Sequence, residues 1–166
     1  RVVLVEEQVR LGGSLAWQHG RDREAQQVCG ALVAALNGMA NVEIRCATMA
    51  GGHYADHWVA LFDAERMTKL RAGAVVYTPS VIEQPAVFGH NDLPGVMLGS
   101  AFQRLVHLYA VKSCDRGVVL AANSAAYGVA LDMLAAGVEV AAVAALRSAG
   151  EPSALGEEVA AAGVPI

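Results

Sequence analysis

The chain opens on Val2-Val3-Leu4-Val5, four consecutive apolar and mostly β-branched residues that stop at Glu6-Glu7. A strand with one wet face alternates apolar and polar positions. A run without polar positions is buried on both faces, as in a parallel sheet covered by helices. Helical and strand patterns then alternate along the remainder of the 166 residues, which points to an α/β fold. Composition agrees. The 32 Ala and 17 Gly, with aromatic residues at only 5%, suit helices packed closely on a sheet. At 55% hydrophobic and a mean hydropathy of +0.39, the chain is too apolar for a disordered one. Its longest apolar stretch, Val140 to Leu146, falls well short of the roughly 18 residues of a membrane span.

Charge and cysteine content narrow the function classes. Sixteen acidic and twelve basic residues give a net charge of −4, and the basic ones are scattered singly. A nucleic-acid binder needs a basic stripe, so neither nucleic acid nor a membrane is an expected partner. Cys29, Cys46 and Cys114 are odd in number and form no CxxC pair, which argues against a disulfide framework and against a zinc site. With no leader-like opening, the expected location is cytoplasmic.

Element signals follow in order. A helix is expected over 22–38, with Asp22 as N-cap, Val28, Leu32, Ala35 and Leu36 on its inner face, and Gly38 beyond its end. A strand is expected at 42–46, an extended segment at 53–62, and a buried strand at 74–77 closed by Thr78-Pro79-Ser80. A helix over 99–110 follows, then strand 117–122, helix 124–136 ended by Gly137, strand 138–145 and helix 153–162. The first strand has no predecessor, and Gly163-Val164-Pro165-Ile166 has the look of a further strand beginning. The expectation is therefore a piece of a longer chain, incomplete at both ends. It divides into a dinucleotide-binding module over 1–98 that lacks its first βα unit, and a truncated second βαβ module over 99–166. Such a piece leaves apolar edges uncovered and is expected to lean on a partner or on a copy of itself.

The chemistry-bearing motif is the acidic strand end. In a dinucleotide-binding βαβ unit the second strand ends in a carboxylate that accepts hydrogen bonds from the adenosine ribose hydroxyls. Glu6 holds that position, with Glu7 as the alternative, and Gly12-Gly13 lets the backbone turn tightly and approach a ligand. The glycine-rich pyrophosphate turn would lie upstream of Arg1. The competing reading is a solvated strand-end carboxylate and a structural turn.

Three segments carry a family resemblance: VVLVEEQVRLGGSLAW (2–17), IEQPAVFGHNDLPGVMLGSAFQRLVHLYAV (82–111) and NSAAYGVALDMLAAGVEVAAV (123–143). Together they resemble the nucleotide-binding region of the α subunit of heterotetrameric sarcosine oxidase, with opine oxidase, dye-linked proline dehydrogenase and hydrogen cyanide synthase subunits next. Asn91-Asp92 ahead of Leu93-Pro94 favours the sarcosine oxidase branch. The resemblance implies a Rossmann-like parallel sheet of the FAD/NAD(P)-binding type with flanking helices. It also implies NAD in this region, with FAD as the alternative and a flavin mononucleotide at a subunit interface. The partners implied are a flavin-bearing β subunit, which oxidises an N-methyl amine, and small subunits. Thr78 takes the place on the cofactor side where the broader class has Ala-Thr-Gly. Two departures stand out. Pro79 removes an amide a ligand could have used, and the loop Ala122 to Tyr127 has no glycine to cradle a pyrophosphate. The second module is thus read as structural or as a docking surface. A non-catalytic scaffold that kept the fold and lost the ligand is the alternative function.

Other candidates have plainer readings. His53 and His57 would meet at a metal only on a helix, and this stretch reads as extended, so no metal is expected. Asn91 and Asp92 are read as shaping their own turn. Ser124 is read as an N-cap, not a nucleophile. Cys114, between Lys112 and Arg116, is flagged as a thiol in a basic setting.

Overall fold

A computed structural model describes residues 1–18, 23–146 and 153–166 of the chain. The helix cap expected at Asp22 lies outside the described residues. The chain divides into two compact units, residues 1–16 with 22–81 and residues 17–21 with 82–166.

In the first unit, strand β1 (Val2–Val5) pairs in parallel with β2 (Val42–Arg45), in register from Val2 opposite Val42 to Val5 opposite Arg45. Parallel neighbours need a long crossover, and helix α1 (Arg23–Asn37) supplies it. This helix turns a different face inward from the one its apolar spacing suggests. Cys29, Val33 and Leu36 are half-buried, whereas Val28 and Leu32 are 53% and 60% exposed. The helix is too Ala-rich for spacing to single out one stripe.

An antiparallel meander follows: β3 (Met49–Tyr54), β4 (Trp58–Phe62) and β5 (Met67–Arg71). The central strand holds two buried residues, Ala60 and Leu61. The stretch 53–62 is therefore a hairpin and not one extended segment. Its turn bends at Asp56 and His57, both with φ 56°, and Trp58 N–H donates to the Ala55 carbonyl. Two left-handed residues in succession are the geometry of a type I′ turn, and Asp and His tolerate it better than most residues. Asp63 closes the next turn by accepting the amides of Glu65 (2.9 Å) and Arg66 (3.0 Å).

The strand expected at 74–77 is absent. Val76 is 86% exposed and Tyr77 63%, on a segment that pairs with no strand among the described residues. Three β-formers, Val75, Val76 and Tyr77, favour an extended chain, but a strand also needs a neighbour for its backbone groups.

The second unit starts with α2 (Gly99–Tyr109) and continues as β6 (Arg116–Ala121), α3 (Ala125–Ala135), β7 (Glu139–Ala145) and α4 (Ala154–Ala161). β6 and β7 pair in parallel, with α3 between them as the crossover. Both α3 and α4 end in Schellman motifs. Gly137 (φ 73°) donates to the Leu134 carbonyl and Val138 to that of Met133, and Gly163 (φ 78°) and Val164 repeat the pattern on Ala160 and Val159. These stops fold Val138 and Val164 into the core beside Val119, Val140, Val143 and Val159. Burying each such side chain stabilises by about 1.5–3 kcal/mol. Beyond α4 the chain runs on beside β7, where Val143 N–H donates to the Pro165 carbonyl at 2.8 Å.

Candidate functional site

Glu6 sits directly after β1, half-buried, with Glu7 exposed beside it. The surrounding loop is pinned by its backbone. Glu6 N–H donates to Arg45 (2.9 Å), Thr48 N–H to Glu6 (3.0 Å) and Ala47 N–H to Gln8 (2.8 Å). The Glu6 carboxylate is thereby held at the carboxyl end of a parallel pair, where open α/β sheets bind ligands. One of its oxygens already accepts the Gln8 amide at 2.8 Å. A carboxylate has about four lone-pair sites, so acceptor capacity is left for hydroxyl donors.

Gly12 and Gly13 follow with φ of +123° and +54°, before a 3₁₀ turn over Gly13–Ala16. The dihedral, not crowding, is what demands glycine at 12. A Cβ there would meet only the Cys29 sulfur, at an ordinary 3.6 Å. Thr78 lies on the exposed segment after β5, and no hydrogen bond joins it to Glu6 or to the glycines among the described residues. Two concavities open elsewhere. One of about 470 Å³ is lined by Arg1, Asn41 and Glu43, and one of about 540 Å³ by Tyr54, Trp58, Phe62, Met67 and Lys69. In the first, the Arg45 and Arg1 guanidinium groups hold the Glu43 carboxyl below its usual range.

In the second unit the loop after β6 caps its own helix. The Asn123 side-chain oxygen accepts the Ala125 amide at 3.0 Å, whereas Ser124 is itself helical and makes no side-chain cap. The cap expected at Ser124 therefore belongs to Asn123, which stands one position earlier, where the chain enters the turn. The side chain of Asn91 donates to the Ala86 carbonyl at 2.8 Å, shaping its own loop as expected. The basic setting expected around Cys114 is spent elsewhere. Lys112 pairs with Asp115 at 2.6 Å and Arg116 with Glu139 at 3.0 Å.

Two arrangements went unread in the sequence. Glu83 caps α2 from sixteen residues upstream, its carboxylate accepting Gly99 N–H (3.1 Å) and Ser100 N–H (2.9 Å). Asp132, 1% exposed, accepts Gln103 Nε2 at 2.7 Å and stands 3.3 Å from His107 Nε2. A signal for the second was available. Asp132 is the one charged residue in the apolar run of α3, and Gln103 and His107 share a face of α2 at i, i+4.

No family model matches the chain. It is similar over its whole length to sarcosine oxidase subunit alpha of Corynebacterium sp. (strain P-1), 29% identical over 184 aligned positions that cover 19% of that protein. The Rhizobium meliloti (strain 1021) subunit is 28% identical over 90% of this chain and 17% of its own length. The chain thus spans about a fifth of the length of the curated relatives it matches. Among solved structures, L-proline dehydrogenase from P. horikoshii superposes with a TM-score of 0.70 at 22% identity, over 86% of this chain and 30% of that one. That likeness shows the α/β fold. The relatives are named as oxidoreductases or their subunits, as the resemblance implies.

Proposed function

We propose that this chain is the dinucleotide-holding part of an oxidoreductase subunit similar to the α subunit of sarcosine oxidase. The observation that carries the reading is Glu6, fixed at the carboxyl end of the parallel β1–β2 pair with Gly12-Gly13 in left-handed backbone just beyond. In this reading the free lone pairs of Glu6 accept the adenosine ribose hydroxyls, with Glu7 as a fallback. Gly12 and Gly13 let the backbone pass close to the ligand, and Thr78 flanks it. NAD is the proposed ligand, with FAD as the alternative and a flavin mononucleotide at a subunit interface. The bound dinucleotide supplies redox chemistry, and this chain's residues bind and orient it. Oxidation of an N-methyl amine falls to a flavin-bearing β subunit in a cytoplasmic complex with small subunits. The 99–166 module serves as scaffold or docking surface.

A second reading rests on a specific contact. Because Glu6 already accepts the Gln8 amide, its carboxylate also serves the loop alone. The chain would then be a scaffold that docks partners or a copy of itself, through exposed apolar side chains such as Val28, Leu32, Trp58 and Phe62. Calorimetric titration of the chain with NAD, FAD and ADP separates the two. Saturable binding of any of them supports the first reading, and no heat from all three leaves the scaffold.

A further inference from the structure

Residues brought together at the tip of the β3–β4 hairpin have no part in the proposed nucleotide site. His53 is the penultimate residue of β3, and His57 ends the turn that reverses the chain. The left-handed backbone at Asp56 and His57 swings the second imidazole back over the first. His53 Nε2 and His57 Nδ1 end 3.3 Å apart, with the ring planes only 12° from parallel. Tyr77, from the segment after β5, brings its hydroxyl into hydrogen-bond contact with the other nitrogen of His53, Nδ1. All three side chains are exposed. Left-handed backbone at non-glycine residues costs of order 1–3 kcal/mol and persists where the surroundings over-determine it.

The geometry points to a two-imidazole chelate for a divalent late transition-metal ion of the zinc class, with Tyr77 as the positioning residue. Two nitrogens bound to one tetrahedral metal at about 2.0–2.1 Å stand about 3.3 Å apart, which is the spacing this turn produces. Imidazole suits zinc, copper and nickel better than magnesium or calcium. With Nδ1–H of His53 donating to the Tyr77 oxygen, Nε2 keeps its lone pair for the metal, the usual outer-shell device. Binding moves the proton that bridges the two facing nitrogens from His57 Nδ1 to its solvent-facing Nε2, so that a neutral ring presents Nδ1 to the metal. No third His, Cys, Asp or Glu joins the pair among the described residues, so water fills the other positions. The helical spacing rule fails here because a tight turn, not a helix, closes the i, i+4 gap.

The test is titration of the chain with Zn²⁺ alone, followed by heat and by imidazole NMR. One ion per chain is expected, with resonance changes centred on the His53 and His57 rings. His53→Ala and His57→Ala should each weaken binding at least tenfold. Tyr77→Phe should weaken it about tenfold, as loss of an outer-shell partner does. Circular dichroism of these surface variants confirms that they fold. Binding of wild-type strength in His53→Ala would assign the ion to other donors, such as the thiols. That result, or silent His53 and His57 rings at millimolar Zn²⁺, overturns the proposal.

Discussion

Replacing Asp132 by alanine should be among the most damaging single changes in the second unit. The carboxylate is 1% exposed and holds Gln103, itself 4% exposed, through a 2.7 Å hydrogen bond. Removing it strands the Gln103 amide donor in an apolar setting, at a cost of about 1–3 kcal/mol. Loss of the His107 contact at 3.3 Å adds to this and places the change at the upper end of that range, about 3 kcal/mol. For a protein of this size that lowers Tm by roughly 6–12 °C. Amide exchange in α3, which reads this unit alone, should quicken about 100-fold at 1.4 kcal/mol per decade. Urea unfolding should show a lower midpoint at unchanged slope. Leucine at Asp132, Gln103 and His107 together should restore most of the loss, because no polar group is left stranded. A single Asp132→Ala change costing under about 1 kcal/mol would refute the reasoning, since it would mean that Gln103 finds another partner.

Glu83→Ala removes the carboxylate that caps α2, and should cost about 1–2 kcal/mol in urea unfolding, with Glu83→Gln intermediate. A neutral Glu83→Ala would show the cap to be idle. Ala110 ends α2 in left-handed backbone at φ 53°, so Ala110→Gly should stabilise by about 0.5–1 kcal/mol, where an ordinary helix-end substitution would not. The Asp63 carboxyl is lowered from its ordinary value because the amides of Glu65 and Arg66 donate to it. Its support of the β4–β5 turn is therefore complete above the ordinary value and is lost as pH falls through the lowered one. An NMR titration placing the Asp63 midpoint at or above that of a free aspartate would contradict this.

Much of the second unit was legible in the sequence because its elements are long and its stops are explicit. Gly137, read as a helix stop, sits one step past the C-cap of α3 and takes the left-handed backbone that only glycine adopts cheaply, whereas Gly163, read as opening a further strand, closes α4 in the same way. The apolar run Val2–Val5 forms the expected parallel strand, but Val2 is 52% exposed and the other three are only half-buried, because β2 is its one paired neighbour among the described residues. The sequence misled where an element depends on what lies across from it. Ala74–Tyr77 has strand composition, but no strand of the described residues pairs with it. β5 was not anticipated at all, since Met67-Thr68-Lys69-Leu70-Arg71 is half-polar and becomes a strand only by pairing with β4. Of the candidate site, Glu6 and the two glycines have legible positions because strand ends and positive φ leave local signatures. Partners supplied by irregular segments leave none. Glu83 reaches α2 across sixteen residues, and Tyr77 reaches His53 across twenty-four.

The proposed role rests on Glu6, and the most direct test is ADP affinity measured on the wild-type chain, Glu6→Ala and Glu7→Ala. A hydrogen bond to a charged group is worth about 1.5–3 kcal/mol. Glu6→Ala should therefore bind ADP roughly 10–100-fold more weakly while Glu7→Ala stays near wild type. Equal affinity in all three proteins would contradict the ribose assignment and leave Glu6 as the brace of its own loop.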